Sequence, residues 1–255
     1  MATEIRANLL SVALVVSVSV AGALIICTYV VTNTYRARLD NPKKMDQSLA
    51  VTGSARKRIR SDLAVWRIKV SGTGEDMKLG FAALKKSVDR VGKFIADQKF
   101  TPSEIALGSI ESQPKYATDR RGTETKEIAG YILTRWFTVT SARVDEVAAA
   151  ATQVTELLQE DLDIVSNLPE FYYTKIGDLK IAMIGEASKD ARQRADQIVT
   201  QAGCGIAEVR VARMGVLQIT RPECTDVSAS GIYDTSTIDK DVNAVVSLTF
   251  GLENR

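Results

Sequence analysis

The chain has 255 residues, with 33 basic and 31 acidic side chains and no histidine, a length that allows one large or two small domains. The absence of histidine excludes Ser-His, Cys-His and His-ligated metal chemistry. A formal net charge of +2 argues against a nucleic-acid-binding protein and against an enzyme of acidic substrates. The first 45 residues hold five basic and two acidic groups, so a near-neutral domain follows a basic N-terminal stem.

An uncharged, apolar stretch near the N-terminus predicts a transmembrane helix. Leu9–Val31 is interrupted only by small residues, and as a helix it would span roughly 34 Å, enough to cross the hydrocarbon layer. Lipid offers no partners for backbone N–H and C=O groups, so a crossing segment must be helical. We therefore expect an anchor at 1–31, in contact with the lipid bilayer through Leu9–Val31, and a polar stem at 32–47.

The alternative to this anchor is a cleaved signal peptide. Ala21-Gly22-Ala23 resembles a small-residue cleavage site, but the apolar run continues for eight residues beyond it. Secretory apolar regions are usually about 7–15 residues long. The length therefore favours an uncleaved anchor.

The remainder, Ser48–Leu252, contains no Pro/Ser-rich linker or tandem repeat and is predicted to fold as one domain. Leu49–Ile59 is expected to pair with the alternating strand Ala64–Val70 through a turn at Ser61-Asp62. Apolar residues at helical spacing then predict a helix over Met77–Phe100.

A second strand pair and a second helix are predicted to follow. Ile105–Tyr116 and Ile128–Thr140 are expected to pair around a loop at Thr118–Thr125. Val144–Glu160 is predicted to be helical, with acidic residues in its first turn, where they suit the helix dipole. Asp163–Thr174 is predicted to be another strand.

The C-terminal part carries the clearest patterns. A third helix is predicted over Leu179–Ala202, with Gly203 as its C-cap, and a long strand over Ile206–Thr220. The last strand, Asp241–Leu252, alternates apolar and polar residues without a break. Strand pairs interleaved with helices predict an α+β domain, a mixed β-sheet with about three packed helices.

The order of these elements and several local motifs resemble the SIMPL-domain family over Ser48–Leu252. The matching motifs are Val51-Thr52-Gly53-Ser54-Ala55, Asp62-Leu63-Ala64, Asp190-Ala191-Arg192 with Ala195 and Ala202-Gly203, and Gly215-Val216 with Ile219. The family's usual proline before the turn aspartate is Ser61 here, at a position predicted to be a surface turn.

The resemblance implies a bacterial protein that is exported or membrane-anchored. Some family members have been linked to oxidative-stress defence, and some resemble ring-forming or channel-like assemblies. The family's name comes from an animal signalling adaptor associated with a kinase, and no catalytic residues are established for it. We therefore expect a non-enzymatic, self-assembling protein of the cell envelope, with no cofactor, metal or nucleic acid and with its protein partner left open.

Two alternative functions stay open beside this expectation. One is a thiol-dependent antioxidant enzyme that uses Cys204 or Cys224. The other is an adaptor that recruits another envelope protein.

The densest charge cluster is a short basic segment with Arg56, Lys57, Arg58 and Arg60. These residues are candidates for contact with anionic lipid headgroups. Successive side chains of a strand point to opposite faces, however, which would divide the cluster. The alternative is therefore a solvated or edge-protecting strand.

Cys204 and Cys224 are the candidate redox thiols, since Cys27 lies within the predicted span. Two thiols cannot make a four-ligand zinc site. A disulfide between them stays open, although an extended strand between them would hold them too far apart. Cys204 follows a helix C-terminus, where the dipole disfavours a thiolate. Gly203-Cys204-Gly205 closes a helix and does not open one, so it is no phosphate cradle.

Other charged groups give weaker signals. Glu160, Asp161 and Asp163 could attract a cation but lack the glycine and the further oxygen ligands of a calcium loop. Asp190, Arg192 and Arg194 are either partner-facing or solvated helix charges.

Conflicting signals bear on which side of the membrane the domain lies. Arg36, Arg38, Lys43 and Lys44 follow the span, and only Arg6 precedes it, which by the positive-inside rule favours a cytoplasmic domain. The signal-like N-terminus and the resemblance to exported proteins favour the opposite side, and long domains can translocate despite their charge. We expect a bacterial inner-membrane protein with a periplasmic domain.

Overall fold

The computed structural model describes the backbone of residues 2–39 and 47–254, and the side chains of residues 17, 19–36 and 47–253. Within these residues, the helices are α1 (Ala2–Leu39), α2 (Met77–Asp97), α3 (Val144–Gln153) and α4 (Ile176–Ala202), with short 3-10 helices at Pro102–Glu104 and Val154–Glu160. The strands are β1 (Ser48–Arg60), β2 (Leu63–Gly74), β3 (Ile105–Leu107), β4 (Glu111–Thr118), β5 (Glu124–Ser141), β6 (Asp163–Ser166), β7 (Glu170–Tyr172), β8 (Cys204–Met214), β9 (Gln218–Thr220), β10 (Ile232–Tyr233) and β11 (Asp239–Asn254). The α+β class is confirmed, with two sheets in place of the one expected.

The N-terminal helix α1 runs through the whole of the predicted span and continues over residues 32–39, which the sequence assigned to the polar stem. The side chains of the first part of the span, residues 9–16, and the rest of the stem, residues 40–46, lie outside the described residues. In the described portion, no helix meets the length and hydropathy of a membrane span.

Strands β1 and β2 form as predicted, but they do not pair with each other. β1 belongs to a five-stranded sheet with the order β1-β11-β9-β10 and β8 beside β11. β2 belongs to a six-stranded sheet with the order β3-β5-β2-β6, in which β4 lies beside β5 and β7 beside β2. The predicted β1–β2 hairpin is therefore wrong, and the chain passes from one sheet to the other between these strands.

The two-residue connection between β1 and β2 explains why no hairpin closes. The backbone N–H of Ser61 donates to the Ile238 carbonyl at 2.8 Å, and that of Asp62 donates to the Tyr172 carbonyl at 2.9 Å. Ser61 is buried, not at the surface as expected, and its hydroxyl has no hydrogen-bond partner among the described residues. A proline, the usual residue of the family, could not donate to Ile238 because it has no N–H.

The six-stranded sheet is built around β2. β2 pairs antiparallel with β5 from Ala64↔Ser141 to Gly74↔Tyr131. Its other edge is shared by two short strands, since β7 pairs at Leu63–Val65 and β6 pairs at Ile68–Ser71. Both edges of β2 are thus occupied.

A hydrophobic core lies on the face of β2 that α2 and α3 cover. Every second side chain of β2 is fully buried there: Ala64, Trp66, Ile68 and Val70. They cluster with Leu84, Val91 and Ile95 of α2 and with Val147 of α3. Trp66 donates its Nε1–H to the Ser166 hydroxyl at 3.0 Å, so its polar atom is satisfied. The predicted alternation of this strand is confirmed.

Helix α2 is fixed at its start and along its length. The Asp76 carboxylate accepts the backbone N–H of Leu79 at 2.7 Å, which satisfies one of the free donors at the helix N-terminus. Farther along, a Cβ placed on Gly72 of β2 would lie 2.2 Å from the Leu84 nitrogen. A glycine at position 72 therefore lets the backbones of α2 and β2 approach closely.

Three predicted strands are each interrupted. Ile105–Tyr116 is divided into β3 and β4, Asp163–Thr174 into β6 and β7, and Ile206–Thr220 into β8 and β9. The breaks contain Gly108, Pro169 and Gly215, residue types that commonly end or bend strands. The pairing of β4 with β5 is as predicted.

The remaining elements largely follow the predicted pattern. The second predicted helix is α-helical only to Gln153 and continues as a 3-10 helix to Glu160. Helix α4 ends at Ala202, and Gly203 has φ +73°, the left-handed conformation of a C-cap glycine. The alternation of β11 is confirmed, because Val242, Ala244, Val246, Leu248 and Phe250 are all buried.

The described residues divide into two compact units. Unit 1 draws on Met1–Thr52, Ala191–Arg213 and Ser247–Arg255, and unit 2 on Gly53–Asp190 and Met214–Val246. Buried residues of unit 1 include Ala191, Ala195, Leu248 and Phe250. Unit 2 holds the core on β2.

Two glycine-to-alanine changes should have opposite effects. Gly72→Ala should lower the free energy of unfolding by about 3 kcal/mol, because the new methyl group meets the backbone of α2. Gly185→Ala should raise it by about 0.5–1 kcal/mol, because Gly185 lies in the middle of α4 with nothing within 4 Å of the added Cβ and alanine favours a helix. Chemical denaturation of the purified chain measures both. If both variants changed the free energy of unfolding equally, the close approach of the α2 and β2 backbones would be contradicted.

Candidate functional site

The candidate headgroup residues of β1 lie on two sides of the strand. Alternation puts Arg56, Arg58 and Arg60 on one side and Lys57 on the other. Arg60 donates to both carboxylate oxygens of Asp145 at 2.6 Å. Arg56 and Arg58 donate to the carboxylate of Asp241, so all three arginines are engaged with carboxylates of the protein itself. Headgroup contact by these four basic residues stays a prediction.

Asp241, at the start of β11, is the centre of this charged group. Its carboxylate accepts Arg56 Nη2 at 2.6 Å, Arg58 Nε and Nη2 at 2.9 and 3.0 Å, and the Glu223 backbone N–H at 3.1 Å. We call these four residues the Asp241 cluster. The Asp241 side chain is only 2% exposed, whereas the two arginine side chains are 56% and 55% exposed.

The hydrogen bonds from Arg58, and then those from Arg56 and the Glu223 backbone, hold the pKa of Asp241 well below its usual range, although burial alone would raise it. Asp241 is therefore a carboxylate whenever the domain is folded near neutral pH. With its acceptors occupied by arginines and a backbone donor, it is suited to joining chain segments.

Lys240, the residue before Asp241, binds the segment that precedes β11. It is fully buried, and its Nζ donates to the backbone carbonyls of Asp234 and Thr237 at 2.5 and 2.7 Å. Burial lowers the pKa of Lys240. The segment between β9 and β11 is therefore held at two places. Lys240 binds it at residues 234–237, and Asp241 binds it at Glu223.

The sequence analysis did not single out Lys240 or Asp241. Polar residues at the beginning of a strand are ordinary, so no spacing marks them. Only the pairing of β1 with β11 brings Asp241 opposite the arginines, and that pairing is not local in sequence.

The two candidate redox thiols are both free and partly exposed. Cys204 Sγ lies 3.7 Å from the Ala202 carbonyl oxygen, at the end of α4. Cys224 Sγ donates to the Asp226 carboxylate at 3.2 Å. Activation of a thiol needs a nearby cation or a helix N-terminus, and Cys204 lies instead at the C-terminal end of α4.

The Asp190-Ala191-Arg192 motif has structural contacts. The Asp190 carboxylate accepts the backbone N–H of Ser54 at 2.8 Å, so this aspartate supports β1. The Arg192 guanidinium lies 5.5 Å from the centre of the Phe250 ring, a cation–π distance. Neither side chain is simply a solvated helix charge.

The acidic residues after α3 are not brought together around a cation. Glu160 forms a bidentate ion pair with Arg90, at 2.7 and 2.6 Å. Among the residues that the structure describes, no group of three or more Cys, Asp or Glu side chains could hold a metal ion.

A two-stranded ribbon, residues 111–130, is the most exposed part of unit 2. β2 pairs with β5 only as far as Tyr131, whereas β4 pairs with β5 out to Thr118↔Glu124. All residues of the ribbon except Ala117, Thr125 and Gly130 are exposed. Tyr116 lies directly opposite Ile128, and these side chains are 40% and 50% exposed.

Unit 2 also carries two clefts that the sequence analysis did not predict. One, of about 150 Å³, lies between α2 and the β4–β5 side, with Phe81, Val88, Ile110 and Arg135 in its walls. The other, of about 430 Å³, is lined by α3 and by the segment that joins β6 to β7.

Asp241→Asn should lower the free energy of unfolding by about 2 kcal/mol at pH 7, since it removes the charge that two arginines share. The native pKa of Asp241 is depressed, so its stabilisation is present above the unfolded value near pH 4 and is lost as pH falls towards the native value. The difference from wild type should therefore shrink below about pH 4. Urea unfolding at several pH values measures it.

Asp239→Asn is the matched control, because Asp239 is 52% exposed and lies 3.5 Å from Arg60. A surface pair of this kind contributes about 0.5 kcal/mol or less. If the two variants lose equal stability, Asp241 is not the centre of the cluster.

Comparisons with known proteins agree with the resemblance found in the sequence. The SIMPL family model, described as a protein of unknown function (DUF541), matches residues 49–250. No curated protein matches the chain. A solved structure from methicillin-resistant Staphylococcus aureus, that of a presumed aminohydrolase, is similar to 48% of this chain at 12% identity and a TM-score of 0.26.

This chain spans only 32% of the length of that protein. A likeness at that TM-score carries no conclusion about fold or activity. The family model, in contrast, covers most of the chain. The protein belongs to the SIMPL family.

Proposed function

We propose that this SIMPL protein is anchored in a bacterial membrane and works without catalysis, by assembling with copies of itself at the cell envelope. The observation that carries the proposal is the exposed ribbon, residues 111–130. Protection against oxidative stress is the role that the family resemblance suggests for such an assembly.

The ribbon is poorly stabilised by its own contacts. A two-stranded antiparallel pair is marginal in water unless a third strand or a packed surface supports it. The pairing of β2 with β5 ends at Tyr131, so β2 does not serve as a third strand for residues 111–130. The exposed pair of Tyr116 and Ile128 offers an apolar area on one side, which a second protein surface would cover.

The charges of the ribbon favour a copy of the same chain over a strongly charged partner. Its four acidic residues are Glu111, Asp119, Glu124 and Glu127, and its four basic residues are Lys115, Arg120, Arg121 and Lys126. A surface with no net charge does not repel its own copy, and opposite charges facing each other across strands are favourable.

Strand β8 provides a second uncovered edge. Among the described strands it pairs only with β11, and its last seven residues, Glu208–Met214, are all exposed. β5 and β9, in contrast, each have strands on both sides.

Helix α1 supports the membrane part of the proposal. In the part of α1 whose side chains the structure describes, large apolar side chains are more than half exposed: Val20, Leu24, Ile25, Ile26, Tyr29, Val30 and Val31. Consecutive residues of a helix point in different directions, so Leu24, Ile25 and Ile26 cannot all face one protein surface. Lipid, which surrounds a helix on every side, would cover them all.

Self-assembly should be visible by size-exclusion chromatography with light scattering, on residues 46–255 and on the full chain in detergent. Changing Tyr116→Lys together with Ile128→Glu keeps an opposed pair in the ribbon but removes its apolar area. We expect this double variant to weaken association at least tenfold. The matched control, Ile181→Lys with Ile198→Glu, changes two exposed apolar residues of α4 and should not.

A monomer at high concentration in both preparations would refute self-assembly. Consumption of peroxide that depends on Cys204 or Cys224 would replace the proposal with a thiol-dependent enzyme. A second protein held in fixed stoichiometry would favour an adaptor.

The proposed topology places the C-terminus outside the cytoplasm. Alkaline phosphatase fused after Arg255 should then be active, because it needs an oxidising compartment to form its disulfides. A green fluorescent protein fused at the same point should stay dark. An inactive phosphatase together with a fluorescent fusion would place the domain in the cytoplasm.

A further inference from the structure

The outer edge of β8 is long enough to bind another strand. β8 runs over eleven residues, Cys204–Met214, and contains no proline. Its one neighbour among the strands that the structure describes is β11, and every residue from Glu208 to Met214 is exposed. The N–H and C=O groups along such an edge are a template for a further strand. β8 can therefore accept a further strand along most of its length.

The exposed part of β8 carries charges on one face and apolar side chains on the other. Alternation of the strand puts Glu208 and Arg210 on one face and Val209 and Val211 on the opposite face. Glu208 Oε1 lies 3.5 Å from Arg210 Nε, so the two charges are neighbours along the strand. Val209 and Val211 are 48% and 42% exposed. A strand bound at this edge would therefore meet both an ion pair and an apolar area.

Symmetry restricts how two copies of β8 could pair. A two-fold axis makes the two strands antiparallel, and opposite residues point to the same face, so one residue must lie opposite itself. An axis at Val209 places Glu208 of each copy opposite Arg210 of the other. An axis at Glu208 or at Arg210 places two like charges opposite each other, which is unfavourable. An axis at Val211 places Glu208 opposite Met214 and forms no ion pair.

We infer that β8 pairs antiparallel with β8 of a second copy of the chain, about a two-fold axis at Val209. This register forms two Glu208–Arg210 ion pairs on one face, and on the other it places Val209 against itself and Val211 against Ala207. Charged residues on an edge ordinarily keep strands apart, but here each charge meets its opposite. Charge complementarity thus favours a second copy as the partner. The inference rests on the proposed self-assembly and names a contact separate from the ribbon.

Charge reversal tests this contact in the full-length chain in detergent. Glu208→Arg and Arg210→Glu should each raise the dissociation constant of the dimer about tenfold, because each variant places like charges opposite each other in both pairs. An equimolar mixture of the two variants should associate nearly as tightly as wild type, since every charge then faces an opposite one. Mixing would not rescue a variant that merely failed to fold.

Arg213→Glu is the matched control, because it reverses a charge on the same exposed part of β8. In the inferred register Arg213 lies opposite Gly205 of the second copy, so its reversal creates no pair of like charges. Its dissociation constant should equal that of wild type. An equal loss of association in this control would mean that the net charge of the strand governs association, and it would overturn the inference.

Disulfide trapping tests the register independently. The background is a chain in which Cys27, Cys204 and Cys224 are changed to Ser. Val209→Cys should cross-link two copies under mild oxidation, because opposite residues of an antiparallel pair have Cα atoms about 4.5–5.5 Å apart, within the range of a disulfide. Val211→Cys should not, because the two cysteines would lie four residues apart along the strands, about 13 Å. The reverse result would place the axis at Val211 and would overturn the inference.

The outcomes separate this inference from the proposed function. A wild-type chain that stays monomeric refutes both. Association that neither charge-reversal variant weakens, without the cross-link at position 209, overturns the β8 contact and leaves assembly through the ribbon standing. A cross-link from the Val209→Cys variant to a different protein would assign the edge to that partner and would also overturn the inference.

Discussion

The pairing of both edges of β2 is the constraint on which the rest of the structure depends. β5 occupies one edge along eleven consecutive pairs, from Ala64 to Gly74. β6 and β7 together occupy the other edge. β2 therefore has no edge free for the strand that precedes it. One face of β2 is covered as well, because Trp66, Ile68 and Val70 are fully buried under α2 and α3. β1 therefore pairs elsewhere, although only two residues separate it from β2.

The Asp241 cluster is a consequence of where β1 goes. Because β1 lies beside β11, its arginines come to face a carboxylate at the start of that strand. Two guanidinium groups then share one buried charge and stay half in water, which avoids the cost of burying the cations themselves. The same carboxylate binds the backbone at Glu223, so one residue joins β1 to β11 and both to the loop that precedes β11.

Features that depend on residues close together in the sequence could be predicted, and features that depend on distant residues could not. The alternation of β11 and the helical spacing of α2 depend on neighbouring residues, and both were predicted correctly. The glycine that ends α4 is a local signal as well. Strand partners depend on distant residues. The predicted β1–β2 hairpin was therefore wrong, although both strands were predicted correctly. The predicted charge cluster of β1 was a correct observation, but its acceptor, Asp241, lies almost two hundred residues away and has no pattern of its own.

One feature of the ribbon limits how far any association through it can spread. The outer strand β4 contains Pro114, and its register with β5 shifts between Lys115 and Tyr116 and again between Tyr116 and Thr118. Proline offers no N–H to a further strand, and register shifts bend the edge away from a straight ladder. Such an edge is a poor template for cross-β stacking of identical chains. If copies of the chain met at this edge, the contact would therefore not extend into a continuous β-sheet.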